Sequence, residues 1–218
     1  MRALGGVLGG DLAGVALLNH VLIDHDAIVD WAIGLAERRE VVREGGGRTL
    51  SDPIPADVGL DPLDVSWRLT AQSPVSDEEL VRAVLNTIRA HERRHLVDSF
   101  HYMPIAQHAL RGAGLLMQFG ISPANIEAEM ERRAELAALA LSPHTELVLV
   151  HIADFFGDPP LRSPHHEGFS RLLEQLRDEL VAMGVPAPRA APSRWHELDM
   201  EQVRAAASRL LDRLPGVR

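Results

Sequence analysis

The chain has no cysteine, a single tyrosine and an aromatic content of only 4% over 218 residues. Without cysteine there is no disulfide scaffold, no thiol nucleophile and no thiolate zinc site. Lysine is absent too, so all 22 basic residues are arginines; none form a basic block, and 31 acidic residues leave a net charge of −9. An acidic chain of this kind lacks the electrostatic footprint of a nucleic-acid binder. No stretch reaches eighteen uncharged apolar residues, which argues against a membrane-spanning helix. The opening MRALGGVLGGDLAGVALL has an Arg and apolar residues, but Asp11 and several glycines interrupt it. It reads as the start of a soluble helix, and a cytoplasmic protein is the expectation.

What is present is a globular composition, 46% hydrophobic and 24% charged, with eleven histidines as its most unusual feature. Residues 11–42 carry Leu12, Val15, Leu18, Val21, Leu22, Ile28 and Trp31 at roughly helical spacing and read as one long helix. Gly45, Gly46 and Gly47, then Pro53, Pro55 and Pro62, make 43–63 irregular or hairpin-like. Val65, Trp67 and Leu69 alternate with Ser66, Arg68 and Thr70, a strand pattern with one buried face. Ser76-Asp77-Glu78-Glu79 fits a capping box and begins a helix running to about residue 99. Pro104 permits another helix, ending near Gly120. Ser122-Pro123 opens a third, through Leu141. Residues 145–156 form a buried helix or a strand, and Gly157-Asp158-Pro159-Pro160 a loop. Helices are expected at 164–184 and 198–213, separated by a Pro/Ala-rich linker at 185–194. The fold class expected is α+β and mostly helical, with a small sheet near residues 40–70.

His91-Glu92-Arg93-Arg94-His95 is an H-E-x-x-H sequence inside the capped helix. Residues four apart lie about 40° apart around a helix axis, so His91 and His95 project from one face. Two imidazoles so placed can hold one Zn2+ ion, with Glu92 beside them as base. Zinc lowers the pKa of bound water toward neutrality, and a carboxylate can then deprotonate it for attack on a carbonyl. Arg93 and Arg94 fall on the opposite side of the wheel and require only an exposed back to the helix.

The helix at 122–141 places Glu127, Glu131 and Glu135 at i, i+4 and i+8. Like charges at that spacing destabilise a helix by a few tenths of a kcal/mol per pair. A cation facing the stripe would explain it, and so would a solvated acidic face. The string Glu131-Arg132-Arg133-Ala134-Glu135-Leu136-Ala137-Ala138 resembles the E-x-x-A-[D/E]-x-x-A element that follows H-E-x-x-H in gluzincins. The two motifs together resemble gluzincin-type zinc metallopeptidases, over residues 65–141. The resemblance implies His91, His95 and Glu131 as zinc ligands, Glu92 as general base and Glu135 as the carboxylate orienting a ligand histidine. It further implies that the strand at 65–70 is the substrate-binding edge, to which an extended peptide adds. The small sheet would then pack on a zincin-like active-site helix and the following glutamate helix. Residues 1–184 would form one zincin-like catalytic domain, with 185–218 the linker and C-terminal helix.

His101 offers an alternative third ligand, because His91, His95 and His101 have metzincin spacing. Metzincins turn the chain at a glycine, whereas Asp98 stands at that place here. Tyr102 or His101 could donate a hydrogen bond to an oxyanion; the competing reading has Tyr102 packed on the helix. Of the other histidines, His20, His25, His108, His144, His151, His165 and His166 fit core, capping or surface roles, while Asp154 could support a ligand from behind or be a loop residue at the end of its apolar segment. The function expected is zinc-dependent hydrolysis of a peptide or protein substrate. The alternatives are a helical-bundle metal-binding protein, with His20 of the first helix completing the site, and a catalytically inactive gluzincin-like interaction domain.

Overall fold

The computed structural model describes residues 14–17, 20–44, 61–102, 113–114, 117, 122–157 and 163–214. The glycine and proline positions 45–55, the helix expected from Pro104 and His108 lie wholly or mostly outside the described residues. The protein is mostly helical, with a two-stranded antiparallel sheet, and no helix among the described residues is long and apolar enough to cross a membrane.

Among the described residues the sheet lies earlier in the chain than expected, and positions 45–60 of the expected sheet region lie outside them. Strands β1 (Gly14–Leu17) and β2 (His20–Ile23) pair in a hairpin register that sets Val15 against Leu22 and Ala16 against Val21. The single helix expected over 11–42 is therefore divided, and α1 (His25–Arg43) begins only after Asp24. The Asp24 carboxylate accepts from the backbone N–H groups of Asp26 and Ala27 at 2.9 and 3.2 Å, which satisfies two donors that a helix start leaves unpaired. Val21, Ile23 and the strand pairing use the β-branched side chains that a helix accommodates less well.

Residues 65–70 are helical. They lie within α2 (Pro62–Gln72), where Asp61 caps the Leu63 N–H at 2.9 Å and Pro62 sits at the first helical position, so the edge strand expected there is not formed. The alternation that suggested a strand hides a helical pair of spacings: Val65 with Leu69, and Ser66 with Thr70, are buried at i, i+4. Thr70 Oγ1 returns its hydrogen to the Ser66 carbonyl at 2.8 Å.

A short 3₁₀ turn, Asp77–Glu79, leads into α3 (Leu80–Tyr102). The capping box does not form; the Ser76 hydroxyl donates to the Glu79 carboxylate at 3.0 Å. Asp77 instead receives Arg39 and Arg43 of α1 at 2.9 and 2.7 Å. Helix α4 (Pro123–Leu141) matches its expected span, and the apolar stretch after it is α5 (Thr145–Gly157). Helix α6 (Pro164–Ala182) is capped by Ser163 and ends where Gly184, at φ 93°, takes the left-handed conformation that glycine adopts without strain. The linker region contains a helical turn at Ala187–Ala190 and a 3₁₀ turn at Pro192–Glu197 before α7 (Met200–Asp212).

Helix α4 is central: it packs against α3, α6 and α7, while α2 lies on α5 and α1 on α3 and α2. One apolar core joins them, with Ile28 and Leu35 of α1, Leu69 of α2, Val84 of α3, Leu136 and Leu139 of α4, Leu147 and Ile152 of α5 and Phe169 and Leu172 of α6. Val203, Ala206, Ala207 and Leu211 of α7 belong to the same core. At Gly168 the α6 backbone comes so close to α4 that a Cβ would stand 2.4 Å from the Ala128 carbonyl oxygen. Glycine weakens a helix interior by about 1 kcal/mol relative to Ala, and here it permits the two backbones to approach.

Candidate metal centre

Helices α3 and α4 bring three of the expected donors together. His91 and His95 lie one turn apart on α3, with their Nε2 atoms 3.1 Å apart and their rings edge to face at 68°. Glu131 of α4 faces both, 3.5 Å from His91 Nε2 through Oε2 and 3.6 Å from His95 Nε2 through Oε1. Ligands about 2.0–2.1 Å from a tetrahedral zinc ion are separated by about 3.3–3.4 Å. The Nε2–Nε2 separation and the distance from each histidine to its nearer Glu131 oxygen lie close to that value, although the two histidines face different oxygens of the carboxylate. Among the described residues this is the group of His, Asp and Glu side chains whose donor atoms all fall within 4.8 Å of one another.

Two buried oxygens at this place make no well-aligned hydrogen bond, Glu92 Oε2 and Glu131 Oε2, the latter with the His91 and His165 rings 3.5 and 3.3 Å away. An unpartnered buried carboxylate oxygen costs free energy unless something positive or a donor meets it. Glu92 is 6% exposed, and burial pushes its carboxyl above the ordinary value; His91 and His95 pull it partly back, and Glu131 adds to the rise. Glu131 also resists burial, yet its contacts with His91 and His95 hold it well below the ordinary carboxylate range. The donor set therefore suits a divalent cation, with two neutral imidazoles and one ionised carboxylate as ligands.

Glu135, one turn along α4 from Glu131, is buried and sits behind His91. Its Oε2 lies 2.8 Å from His91 Nδ1 and its Oε1 3.1 Å from His151 Nδ1 on α5. Burial would raise its pKa, but His151 and His91 more than offset that and hold it at about 2. A carboxylate only accepts, so each imidazole meets it with an N–H. His91 thus offers its other nitrogen, Nε2, to Glu131 and His95. Glu135 thus stands on the Nδ1 side of His91, opposite the nitrogen that faces Glu131 and His95.

The carboxylate stripe divides along α4. Glu127 is exposed, Glu131 is half-buried and Glu135 is buried. His165, in the first turn of α6, reaches Glu131 Oε2 at 3.3 Å from the solvent side. Its position follows from the close approach at Gly168, one turn further along α6. Sequence spacing could not reveal either His151 or His165 as a neighbour of the site, because both contacts join helices distant in sequence.

His101 and Tyr102 are not brought to the three donors. Helix α3 continues unbroken through Asp98 to Tyr102, so the turn that metzincin geometry requires is not made. Six residues of helix set His101 about 120° around the axis from His95, and its ring packs edge-on against Tyr102 at 4.7 Å. Tyr102 lies two turns beyond His95, about 10 Å along the axis. It is buried beneath the Arg133 guanidinium, 5.3 Å from the ring centroid. His20 lies on β2 and not on the first helix.

The expectation of an exposed helix back holds for Arg93 but not for Arg94. Arg94 is buried and makes a two-point contact with Asp98, at 3.0 and 2.6 Å. Arg133 of α4 joins Asp98 at 3.2 Å and Glu129 at 2.9 Å, while Arg132 binds Glu129 at 2.7 and 2.6 Å and Gln175 of α6 at 2.8 Å. This buried network fixes α3 against α4 on the side away from the histidines. Asp154 of α5 belongs to a separate tie, accepting from Arg38 of α1 at 2.8 Å and from Ser66 of α2 at 2.5 Å.

Comparison with protein-family models, with curated proteins and with solved structures gives no match for this chain.

Proposed function

We propose that this protein is a zinc-dependent hydrolase of amide bonds, a metallopeptidase in the reading that its two motifs suggest. The observation that carries the proposal is the convergence of His91, His95 and Glu131, whose donor atoms lie within 4.8 Å of one another, with the buried carboxylate of Glu92 beside them. His91 and His95 through Nε2, and Glu131 through its carboxylate, would hold the ion. Bound there, zinc would supply Lewis-acid polarisation of a carbonyl and a lowered pKa for water.

The remaining work falls to the chain. Glu92 takes the proton from the attacking water and returns it to the departing nitrogen. Its burial favours this role by raising its proton affinity toward the working pH. Glu135 holds the His91 ring with Nε2 directed at the other ligands. The three ligand side chains each keep 16–19% of their surface exposed.

The helical state of residues 65–70 favours a second reading, a metal-binding helical bundle without peptidase activity. Those residues offer no strand edge for an extended peptide to join. One experiment separates the two. Metal-replete wild type and Glu92→Gln are assayed for zinc content and for cleavage of a mixed peptide library. A hydrolase keeps its zinc in Glu92→Gln and loses about a hundredfold or more in rate. A non-hydrolytic bundle keeps zinc in both and cleaves nothing in either.

A further inference from the structure

His151 has no task in the zinc chemistry above, yet α5 builds it into the same group of side chains. Glu135 is 1% exposed, and a carboxylate so deeply buried needs a donor on each oxygen. His91 supplies one at Oε2 and His151 the other at Oε1, 2.8 and 3.1 Å away. The carboxylate thus sits between two imidazoles from two different helices, neither of them α4. The ring of His151 is itself fixed between Trp31 of α1 and Phe169 of α6, with centroids 5.6 and 5.8 Å away.

We propose that His151 is a positioning residue for the metal centre: by donating to Glu135 Oε1 it keeps Oε2 turned toward His91 Nδ1–H, and so keeps His91 Nε2 aimed at His95 and Glu131. The inference rests on the zinc reading for its consequence, but its structural content stands in the metal-free protein. Without the His151 N–H, Oε1 has no partner, and the carboxylate gains by rotating away from His91 or by taking a proton. Either change removes the ionised acceptor that selects the Nδ1–H tautomer of His91. The ligand histidine is then free to turn its ring or to present a protonated Nε2. Partners of this kind behind a ligand histidine alter metal affinity by about 10–100-fold.

Two variants test the role. His151→Phe keeps an aromatic ring between Trp31 and Phe169 and removes the N–H; His151→Asn keeps a short N–H donor. Zinc affinity is measured by chelator competition at fixed pH, and the His91 tautomer by nitrogen-15 NMR of the metal-free protein above about pH 10, where the His91 ring is neutral. Circular dichroism melts report folding. His151→Phe should bind zinc 10–100-fold more weakly and show a mixed His91 tautomer, and His151→Asn should recover much of both. Unchanged affinity together with an unchanged His91 tautomer in folded His151→Phe overturns the inference. If wild type itself binds no zinc, the zinc reading falls, and the NMR comparison alone decides whether His151 sets the His91 tautomer. Should His151→Phe fail to fold, His151→Leu, which also lacks the N–H, takes its place, and a folded His151→Leu with wild-type zinc affinity and a wild-type His91 spectrum overturns the inference.

Discussion

Arg133 of α4 donates to Asp98 of α3 at 3.2 Å with both side chains almost wholly buried, and this contact ties together the two helices that carry His91, His95 and Glu131. Asp98 also receives Arg94, and Arg133 also holds Glu129. Removing one member of a buried ion pair costs about 3–5 kcal/mol, because the partner charge stays buried. Arg133→Ala leaves Asp98 with Arg94 and Glu129 with Arg132, so its cost should fall at the low end, about 3 kcal/mol. Asp98→Ala takes from Arg94 the carboxylate it pairs with and leaves Arg133 with Glu129 alone, and should cost about 5 kcal/mol. Urea denaturation of both variants checks the order; equal or reversed costs would show that the network is not what registers α3 on α4.

Gly168 gives a prediction opposite in sign to helix propensity. Ala for Gly in a helix interior normally stabilises by about 1 kcal/mol. Here the added methyl would meet the Ala128 carbonyl at 2.4 Å, so α6 must move away from α4. Gly168→Ala should lower the melting temperature and loosen the His165–Glu131 contact. A melt at or above that of wild type would show that the helices separate without loss.

The metal-free protein should show a stability maximum in mildly acidic solution. Burial opposes the charge on His91, but Glu131 and Glu135 more than offset it and raise its pKa to about 10. A raised pKa contributes stability that is complete below the unfolded value, near 6.5, and is lost as pH rises through about 10. Glu135, depressed from 4.5 to about 2, contributes above 4.5 and loses that contribution as pH falls through about 2. Chelator-treated protein should therefore be most stable between about 4.5 and 6.5 and weaken steadily toward pH 10. His91→Gln should flatten the alkaline side. An unaltered alkaline slope in that variant would assign it to other groups.

Much of the site was legible because it is local. The i, i+4 histidines of α3 share a face by helix geometry alone, and Ser122-Pro123 announces α4 with Glu131 and Glu135 one turn apart. That these two faces meet, and that His101 turns away, depends on α3 continuing through Asp98. Asp98 does so because Arg94 and Arg133 meet it, and pairing across helices leaves no spacing in the sequence. The strand expected at 65–70 came from reading Trp67 as a member of a buried face. Asp61-Pro62, a cap followed by Pro at the first helical position, was the stronger local signal. The hairpin at 14–23 escaped because its apolar residues also fit a helical stripe continuous with α1.

The measurement that bears most directly on the account is zinc content per chain, by elemental analysis of metal-replete, tag-free protein. Wild type, His91→Ala, Glu131→Ala and His101→Ala are compared. One zinc is expected in wild type and in His101→Ala, and none retained in His91→Ala or Glu131→Ala. A wild type without zinc, or a loss confined to His101→Ala, would contradict it.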